Sequence, residues 1–425
     1  MLTVVTGMQF GDEGKGRIVH NLALSSYYSA GVRAQGGNNA GHTVKHKGVL
    51  YKLNLLPTPA LLGKDVYLGR AMVLDLDVLA EEIIQVRKEC SPKIMIDLRA
   101  HVIMPWHKEL DGINERENGS HAAGSTGRGI GPAYASKHER TGIRVCDFFG
   151  DLERVDALTD QYAQRVALRT GQLLYPNRYY DSISQIREKV SFLESYIGDV
   201  STALHFAFTR DEHVLGECAQ AEMLDVDGAY YPRGTSSGTS AAGFWNGIGV
   251  GPSSKNLGPV IGVAKAYLTR VGNGPFVTEI TDTTLANTLR EKGGEYGTTT
   301  GRARRVGWLD IPMLRHAVIP SGITHLALTK LDILGGMDEI PVVNHYRTSD
   351  AIPCLAYEKV KPYFVSMKGW PAFSEEEYKI QFESGVRNIP HTGLRHYLQN
   401  IEENIGLPIG MISFGQESSA FISYI

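Results

Sequence analysis

The chain has 425 residues, of which 42% are hydrophobic and 21% are charged, and its formal net charge at pH 7 is −3. These proportions predict a globular protein that can bury a large core, in one large α/β domain or in two smaller ones. The small net charge gives no electrostatic reason to expect a nucleic-acid or membrane partner, and no apolar run is long enough to cross a bilayer.

Cysteine usage and the first residues indicate the compartment. The cysteines are widely separated and form no C-x-x-C pair, so we expect reduced thiols, with no zinc site and no disulfide framework. The chain begins with a strand pattern, without a charged leader or a long apolar segment, so we expect no export signal and a cytoplasmic location. The cysteines are Cys90, Cys146, Cys218 and Cys354.

Short β-branched runs alternate with helical patterns along the chain. This alternation predicts an α/β fold with a mainly parallel central sheet flanked by helices. Residues 151–209 are rich in helix formers and poor in glycine, and no linker isolates them, so we expect a helical insertion within one domain spanning 1–425. The predicted strands are LTVV (2–5), KDVYLGRAMV (64–73), KIMIDL (93–98) and THLALTKL (324–331), and the predicted helices are DLDVLAEEIIQVRKE (75–89) and DIPMLRHAV (310–318).

The first glycine-rich segment is TGMQFGDEGKGR (6–17), which follows a predicted strand directly. Its backbone amides, the start of the next helix and Lys15 could hold phosphate, although Gly16 stands where a standard phosphate loop has Ser or Thr. A carboxylate from Asp12 or Glu13 would fit beside a phosphate if Mg²⁺ lies between the carboxylate and the phosphate, or if the carboxylate acts as a base. The alternative is a strand–turn–helix junction with a solvated acidic pair.

Two further glycine-rich segments carry polar side chains. In GGNNAGHTV (36–44), His42 could donate a hydrogen bond to an oxygen that gains charge, but an isolated histidine in a turn is more often a surface residue. In GSTGRGIGPAYASKHERTGIR (124–144), hydroxyls, amides and basic residues suit a phosphate dianion. The alternative for that segment is a surface loop with scattered charge.

Two later segments suit anion and base recognition. GTTTGRARRVGW (297–308) places Arg302, Arg304 and Arg305 after three threonines, a pattern that suits bidentate binding of carboxylate or phosphate. LALTKLD (326–332) resembles the base-reading element of GTP-binding proteins, in which Asp332 would accept hydrogen bonds from guanine and thereby reject adenine.

In their order along the chain, these motifs resemble those of the adenylosuccinate synthetase family. The resemblance covers nearly the whole chain and is weakest over 151–209. It rests on the segments GDEGKG, NNAGHT, STGRGIGPAY, LDVDGAYYPRGTSS, GVGP, GPFVTE, TTTGRARRVGWLD and LTKLD. It implies a GTP-dependent ligase with a phosphate-loop-like GTP site, which joins L-aspartate to IMP and releases adenylosuccinate, GDP and phosphate.

The resemblance also implies roles for individual residues. Asp12 would remove the N1 proton of IMP so that O6 attacks the γ-phosphate of GTP. His42 would form a hydrogen bond to the phosphoryl group that is transferred. One Mg²⁺ per subunit would be bound by Asp12 and the Gly41 carbonyl. The aspartate amine would then displace phosphate from C6. Arg140 would come from the neighbouring subunit, which implies a homodimer.

Three sets of substrate-binding positions follow from the same resemblance. IMP would contact Asp12, Lys15, Asn39, Thr126, Arg140, Gln220, Thr235 and Arg302. The aspartate carboxylates would contact Thr298, Thr299, Thr300, Gly301, Arg302 and Arg304. GTP would contact Gly11, Glu13, Gly14, Lys15, Gly16, Arg17, Gly41 and Thr43 through its phosphates, and Lys330, Leu331, Asp332, Ser413, Phe414 and Gly415 through guanine.

Several positions depart from the family pattern. Arg17 and His20 stand where the family commonly has lysine and aspartate, and Gly238 stands where it has asparagine. The segment CAQAEMLDVD has Ala221 and Glu222 directly after Gln220, and SFGQES replaces S-x-G-P-D-R near the C-terminus. The substitutions near the purine raise an alternative, a paralogue that acts on a modified or different 6-oxopurine nucleotide. An alternative from another class is a regulatory GTP-binding switch, although a switch needs no dicarboxylate clamp of the kind that TTTGRARR (298–305) suggests.

Overall fold

A computed structural model of the chain describes residues 1–119, 124–171, 178–272, 274–297, 301–347, 360–415, 417 and 419–425. Its strands, in chain order, are β1 (Leu2–Gly7), β2 (Ala30–Arg33), β3 (His42–His46), β4 (Val49–Leu53), β5 (Asp65–Leu68), β6 (Val73–Leu74), β7 (Ile94–Asp97), β8 (His101–Val102), β9 (Ile197–Gly198), β10 (Val214–Glu217), β11 (Leu257–Lys265), β12 (Leu268–Arg270), β13 (Arg305–Gly307), β14 (Leu309–Asp310), β15 (His325–Thr329), β16 (Glu339–Tyr346), β17 (Pro362–Lys368), β18 (Ile409–Ser413) and β19 (Phe421–Ser423).

Helices connect these strands. The α-helices are α1 (Lys15–Ala23), α2 (Leu76–Arg87), α3 (Pro105–Asn118), α4 (Ile130–His138), α5 (Asp147–Gly150), α6 (Leu152–Thr170), α7 (Tyr180–Leu193), α8 (Val200–Thr209), α9 (Ala241–Ile248), α10 (Thr283–Gly293), α11 (Ile311–Ser321), α12 (Leu331–Leu334), α13 (Glu375–Phe382) and α14 (Thr392–Ile405). In the described ranges, no helix combines the length and the apolar character that crossing a membrane requires.

A ten-stranded sheet forms the centre of the molecule, with strand order β19-β18-β15-β11-β1-β10-β2-β5-β7-β9. Neighbouring strands are parallel except at β18 and β19, which are antiparallel. Both faces are covered: Val4 of β1 belongs to the cluster that includes α8, α9, α11 and α14, whereas Val5 packs with α1. The prediction of an α/β fold with a mainly parallel sheet is therefore confirmed.

The predicted elements are present with shifted ends. KDVYLGRAMV, predicted as one strand, is divided into β5 and β6 by a turn at Gly69. The backbone amide of Gly69 donates to the Arg33 carbonyl, and a Cβ on Gly69 would lie 2.6 Å from the Gly247 carbonyl oxygen. A residue with a side chain would not fit so close to that backbone, so glycine is required at this position.

Residues 151–209, predicted as a helical insertion, contain α6, α7, β9 and α8 in the described part. Helices α6 and α7 pack with α2 and α3 in a cluster that includes Trp106 and Tyr162. By contrast, β9 pairs with β7 at the edge of the central sheet, and α8 contributes Val200 and Leu204 to the largest core cluster. The last part of the segment therefore belongs to the main fold.

The carboxyl ends of the central strands lie along one edge of the sheet. Ligands of open α/β sheets bind at this edge, where the loops that follow neighbouring strands meet. The motif 6–17 follows β1, GGNNAGHTV follows β2, the segment 218–222 follows β10, the TKLD motif ends β15, and Ser413 ends β18. The topology thus brings segments that are hundreds of residues apart to one place.

Candidate active site

A cavity of about 680 Å³ opens at the carboxyl ends of β1, β2 and β10. Many of the predicted positions line it, and they come from six separate segments of the chain. These positions are Gly11, Asp12, Gly14, Lys15, Gly16, Arg17, Asn39, Gly41, His42, Thr43, Thr126, Gln220, Thr235 and Arg304. The structure therefore brings the first phosphate-type loop, the histidine segment and the arginine segment together.

The loop between β1 and α1 is shaped by an internal ion pair. The Glu13 carboxylate accepts hydrogen bonds from the amides of Gln9 (3.1 Å) and Gly11 (2.8 Å), and it pairs with Lys15 Nζ at 2.7 Å. A Cβ on Gly7 would lie 2.6 Å from Glu13 Oε2 and 2.8 Å from Lys15 Nζ, so this pair needs a glycine beneath it. Glu13 is fully buried and does not line the cavity, so the alternative of a solvated acidic pair is wrong for Glu13.

His42 is buried beside the same loop. Its Nδ1 contacts Glu217 Oε1, and Glu217 Oε2 accepts hydrogen bonds from the amide (2.7 Å) and hydroxyl (3.0 Å) of Thr58. Burial lowers the pKa of His42, and the Glu217 charge opposes this shift only in part. The surface alternative for this histidine is wrong, because His42 is 7% exposed and its ring is held from one side, which leaves Nε2 for a ligand.

Asp12 lies next to the arginine segment. Its Oδ2 is 2.9 Å from Arg304 Nη2, and its side chain is 33% exposed. The other terminal nitrogen of Arg304 donates to Glu295 Oε2 at 2.6 Å. A carboxylate that can take a proton and a guanidinium that can bind a dicarboxylate therefore lie in contact within one cavity.

Glu295 is fully buried and has four partners. Its carboxylate contacts Lys265 Nζ (3.3 Å), Lys330 Nζ (2.8 Å), Arg304 and the Tyr267 hydroxyl (2.6 Å). Although burial alone favours the neutral acid, these three cations hold the pKa of Glu295 well below its usual range. Burial lowers the pKa of Lys265 to about 8, although Glu295 opposes the shift.

The TKLD motif and the C-terminal segment form a second group beside the cavity. The Lys330 amide donates to the Ser413 carbonyl at 3.0 Å, which joins the two segments. Asp332 Oδ1 is buried without a hydrogen-bond partner in the part of the chain that the structure describes, and burial raises the pKa of Asp332. An unpaired buried acceptor fits a ligand that brings N–H donors, as guanine does.

Arg17 connects these two groups. Its guanidinium donates to the carbonyls of Gly415 (2.6 Å), Ala420 (3.1 Å) and Phe414 (3.4 Å), and also to that of Glu417. Its side chain therefore supports the segment after β18, rather than extending freely into the cavity as a phosphate ligand would.

The remaining predicted positions among the described residues do not line the cavity. Thr298, Thr299 and Thr300 lie outside the described residues. Arg140 follows α4 with a φ of 64°. Among the described residues, those predicted for a substrate but not lining the cavity are Glu13, Arg140, Gly301, Arg302, Lys330, Leu331, Asp332, Ser413, Phe414 and Gly415.

Sequence reasoning missed the polar face of α3. Asp111 Oδ2 accepts a hydrogen bond from the Gly129 amide (2.8 Å), and Glu115 Oε2 accepts one from the Gly124 amide (3.0 Å), so α3 holds both ends of the loop that carries Thr126. The spacing of Asp111, Asn114, Glu115 and Asn118, all of which line the cavity, is the signal that could have revealed this face.

The departures near the purine lie mostly behind the cavity. Glu222 Oε2 accepts a hydrogen bond from the Ser321 hydroxyl at 2.8 Å, and burial raises the pKa of Glu222 to about 7. Ala221 is fully buried, and a Cβ on Gly7 would lie 2.8 Å from its methyl group. Neither residue lines the cavity, nor does Gly238, so the structure gives the paralogue alternative no support.

Comparison with known proteins extends these observations. The sequence profile of the adenylosuccinate synthetase family matches residues 4–422. The adenylosuccinate synthetase of Caldicellulosiruptor bescii is 41% identical over 427 residues, covering 97% of each chain, and that of Halothermothrix orenii is 38% identical over 424 residues, covering 97% of this chain and 96% of its own.

Two solved structures are also similar. Fully ligated adenylosuccinate synthetase from Plasmodium falciparum has a TM-score of 0.86 at 32% identity and covers 99% of each chain. The succinoaminodeoxyadenylate synthetase PurZ of cyanophage S-2L, bound to dGMP and dATP, has a TM-score of 0.64 at 19% identity and covers 100% of this chain and 95% of its own, which shows the shared fold alone. The chain belongs to the adenylosuccinate synthetase family, the ligases that use GTP to join L-aspartate to IMP in AMP biosynthesis.

Proposed function

We propose that this chain performs the family reaction in the described cavity, with Asp12 as the general base and His42 as the donor to the transferring phosphoryl group. The observation that carries this proposal is the contact between Asp12 and Arg304, 2.9 Å apart. This contact connects the segment that would bind GTP and the purine of IMP to the segment that would bind aspartate. A GTP-binding switch needs no such junction.

In the first step, Asp12 accepts the N1 proton of IMP, which leaves the negative charge on O6. O6 then forms a bond to the γ-phosphorus of GTP while the bond to the β–γ bridging oxygen breaks, releasing GDP. His42 donates from Nε2, which requires the imidazolium form. Burial disfavours that form, but a phosphate dianion at Nε2 and the Glu217 carboxylate at Nδ1 both favour it.

In the second step, the aspartate amine attacks C6 of the phosphorylated purine. A C–N bond forms, the C6–O bond breaks, and phosphate leaves with the electron pair and takes up the proton that the amine nitrogen loses. The aspartate carboxylates would bind to Arg304, Arg302 and the Thr298–Gly301 segment, because guanidinium groups bind carboxylates in a bidentate geometry. Arg304 is 5% exposed and therefore lies in a site of low dielectric, where such a bond is strong.

The nucleotide sites follow from the same geometry. Backbone amides at the start of α1 and Lys15 would bind the GTP phosphates, while Asp332 would accept from guanine. The IMP phosphate and ribose would lie against Asn39, Thr126 and Thr235. Asn39 Nδ2 is 3.4 Å from Thr235 Oγ1, so these two positions share one side of the cavity.

One divalent cation fits this set of donors. Asp12 and the Gly41 backbone both line the cavity and offer oxygen atoms, which Mg²⁺ prefers, and Mg²⁺ commonly completes its shell with water and phosphate oxygens. When bound there, Mg²⁺ would neutralise charge on the phosphates. Asp12 would therefore have two tasks, as a ligand and as a base, and it lies in contact with Arg304.

We also propose a homodimer in which each subunit supplies Arg140 to the site of its neighbour. Arg140 does not line the cavity of its own chain, which agrees with a role across an interface. Such an exchange makes each site incomplete in a single chain.

The test of the proposed function is a coupled assay of GDP release in which each substrate is omitted in turn. We expect release to require both IMP and Mg²⁺, and formation of the amino-linked purine to require aspartate. Asp12→Asn should reduce turnover by about a thousandfold while GTP still binds, since a base contributes about 10²–10⁴-fold. Asp338→Asn, at an exposed position, is the matched control. GTP hydrolysis that is independent of IMP would favour the switch.

A further inference from the structure

Glu295 lies where two substrate sites meet. Residues 295–297 pair with residues 302–304: the Arg304 amide donates to the Glu295 carbonyl (3.0 Å), and the Gly297 amide donates to the Arg302 carbonyl (2.8 Å). Tyr296 and Ala303 pair in antiparallel fashion between these bonds. Glu295 and Arg304 therefore lie at the end of this pairing, beside the segment that would bind aspartate, and their side chains also bond to each other at 2.6 Å.

The same carboxylate also fixes the guanine side. Lys330, which precedes Leu331 and Asp332 in the TKLD motif, has a φ of 60°, a conformation that non-glycine residues adopt rarely. Its Nζ donates to Glu295 Oε1 (2.8 Å) and to the Gly293 carbonyl (2.6 Å). The lysine stem is thereby held in place on the side of the site that would receive the purine of GTP.

The two carboxylate oxygen atoms of Glu295 have different hydrogen-bond partners. Oε1 accepts from Lys330 and from the Tyr267 hydroxyl, whereas Oε2 accepts from Arg304, whose other nitrogen reaches Asp12. Glu295 is fully buried and does not line the cavity, so it cannot itself bind a substrate from that side. A buried carboxylate with three cations around it has little freedom to move, because each displacement would leave a charge unpaired.

We propose that Glu295 is a positioning residue that sets Arg304 for aspartate and Lys330 for guanine through one carboxylate. This inference deepens the proposed function and rests on it, because the roles of Arg304 and Lys330 belong to that proposal. It goes further in stating that the aspartate and GTP sites share one support, whereas the IMP phosphate side, held by α3, does not.

The proposal predicts a particular division of kinetic effects. Glu295→Gln keeps the shape but removes the charge, so Arg304 and Lys330 lose their common partner. We expect the KM values for aspartate and for GTP each to rise by about tenfold or more, the effect of losing a charge-assisted hydrogen bond, while the KM for IMP changes by less than about threefold. A purely structural role would raise all three KM values alike or lower only the amount of folded enzyme.

Lys265 provides the matched control within the same cluster. It is fully buried at the end of β11 and lies outside the cavity lining, and it contacts the same carboxylate. Lys265→Met should lower the melting temperature but leave each KM within about threefold, since Arg304 and Lys330 keep their partner. If Glu295→Gln folds poorly, the double variant Lys265→Met/Glu295→Gln removes one of the excess cations and should show the same rise in the two KM values.

Titration of each variant with GTP alone separates this proposal from the proposed function. We expect Glu295→Gln to bind GTP about tenfold more weakly than the wild type, whether or not turnover occurs. Wild-type enzyme that releases no GDP with IMP present would overturn the proposed function. Active wild type together with a Glu295→Gln variant whose aspartate and GTP constants are unchanged would overturn the role of Glu295.

Discussion

Arg17 is a departure from the family pattern that the structure explains. A lysine at this position could reach one or two acceptors, but the Arg17 guanidinium spreads over the carbonyls of Gly415, Ala420 and Phe414. This segment is also where S-x-G-P-D-R is replaced by SFGQES, so both departures concern the same structural support. The segment that would contact guanine therefore depends on a side chain from α1.

Arg17→Lys should weaken GTP binding selectively. We expect the KM for GTP to rise by about three- to tenfold, because a single ammonium cannot replace a fork of donors, while the constants for IMP and aspartate stay nearly unchanged. Steady-state kinetics with each substrate varied in turn measures this. Arg387→Lys, an exposed position, is the control, and an unchanged KM for GTP would contradict the assigned role of Arg17.

Glu222 should make stability depend on pH. Its pKa is raised from 4.5 to about 7 by burial, so the folded state holds a proton that the unfolded state releases. The folded state therefore loses stability as the pH rises through the window from about 4.5 to about 7. The Glu222→Gln side chain stays neutral and can still bond to Ser321, so the stability of this variant should not fall with pH in this way.

Relative to the wild type, Glu222→Gln should gain about 1–3 kcal/mol in the free energy of unfolding between pH 5 and pH 8, since one pKa unit corresponds to about 1.4 kcal/mol. Urea unfolding at both pH values measures the difference. Glu376→Gln, at an exposed position of α13, should show no such gain. A parallel change in both variants would mean that Glu222 is not the group responsible.

Among the elements, α3 has a role that is separate from its packing. Its apolar side contributes Trp106 and Ile113 to a core cluster, while Asp111 and Glu115 hold the amides of Gly129 and Gly124. The helix therefore positions the loop with Thr126, which would contact IMP.

Asp111→Asn combined with Glu115→Gln should raise the KM for IMP by about tenfold, because each amide would lose a charged acceptor, while the KM for GTP changes little. Glu117→Gln on the same helix removes only an exposed pair with Arg169 and serves as the control. An equal rise for all substrates would instead indicate general loosening of the helix.

How much of the structure the sequence predicts depends on how far apart along the chain the interacting residues lie. Helix α2 and the strands β1 and β15 could be predicted, because periodicity is a local signal. The meeting of Asp12, His42 and Arg304 is implied only by the family resemblance of the motifs, since three local motifs do not by themselves show that their residues lie together. Glu217, Glu295 and the inward turn of Glu13 could not be predicted, because their partners come from distant segments. The joining of β9 to the sheet edge was missed for the same reason, since two residues carry no periodicity.

At the scale of the whole molecule, the parallel sheet explains why one chain can hold three substrates. Six neighbouring strands, β18, β15, β11, β1, β10 and β2, end at one edge. The segments after β1, β10 and β2 line the cavity, and those after β15 and β18 would form its guanine side. Arg140 lies after α4 and does not line the cavity of its own chain. The proposed homodimer accounts for this position and can be tested directly.

A mixture of two inactive variants should recover activity if Arg140 acts across the interface. Asp12→Asn lacks the base but supplies Arg140, whereas Arg140→Leu lacks the arginine but keeps Asp12. In a mixed dimer, one of the two sites then contains both groups. With random exchange of subunits, half of the dimers are mixed, so about one quarter of wild-type activity is expected. Mixing Asp12→Asn with itself is the control, and activity that does not exceed the sum of the parent variants would mean that each chain uses its own arginine.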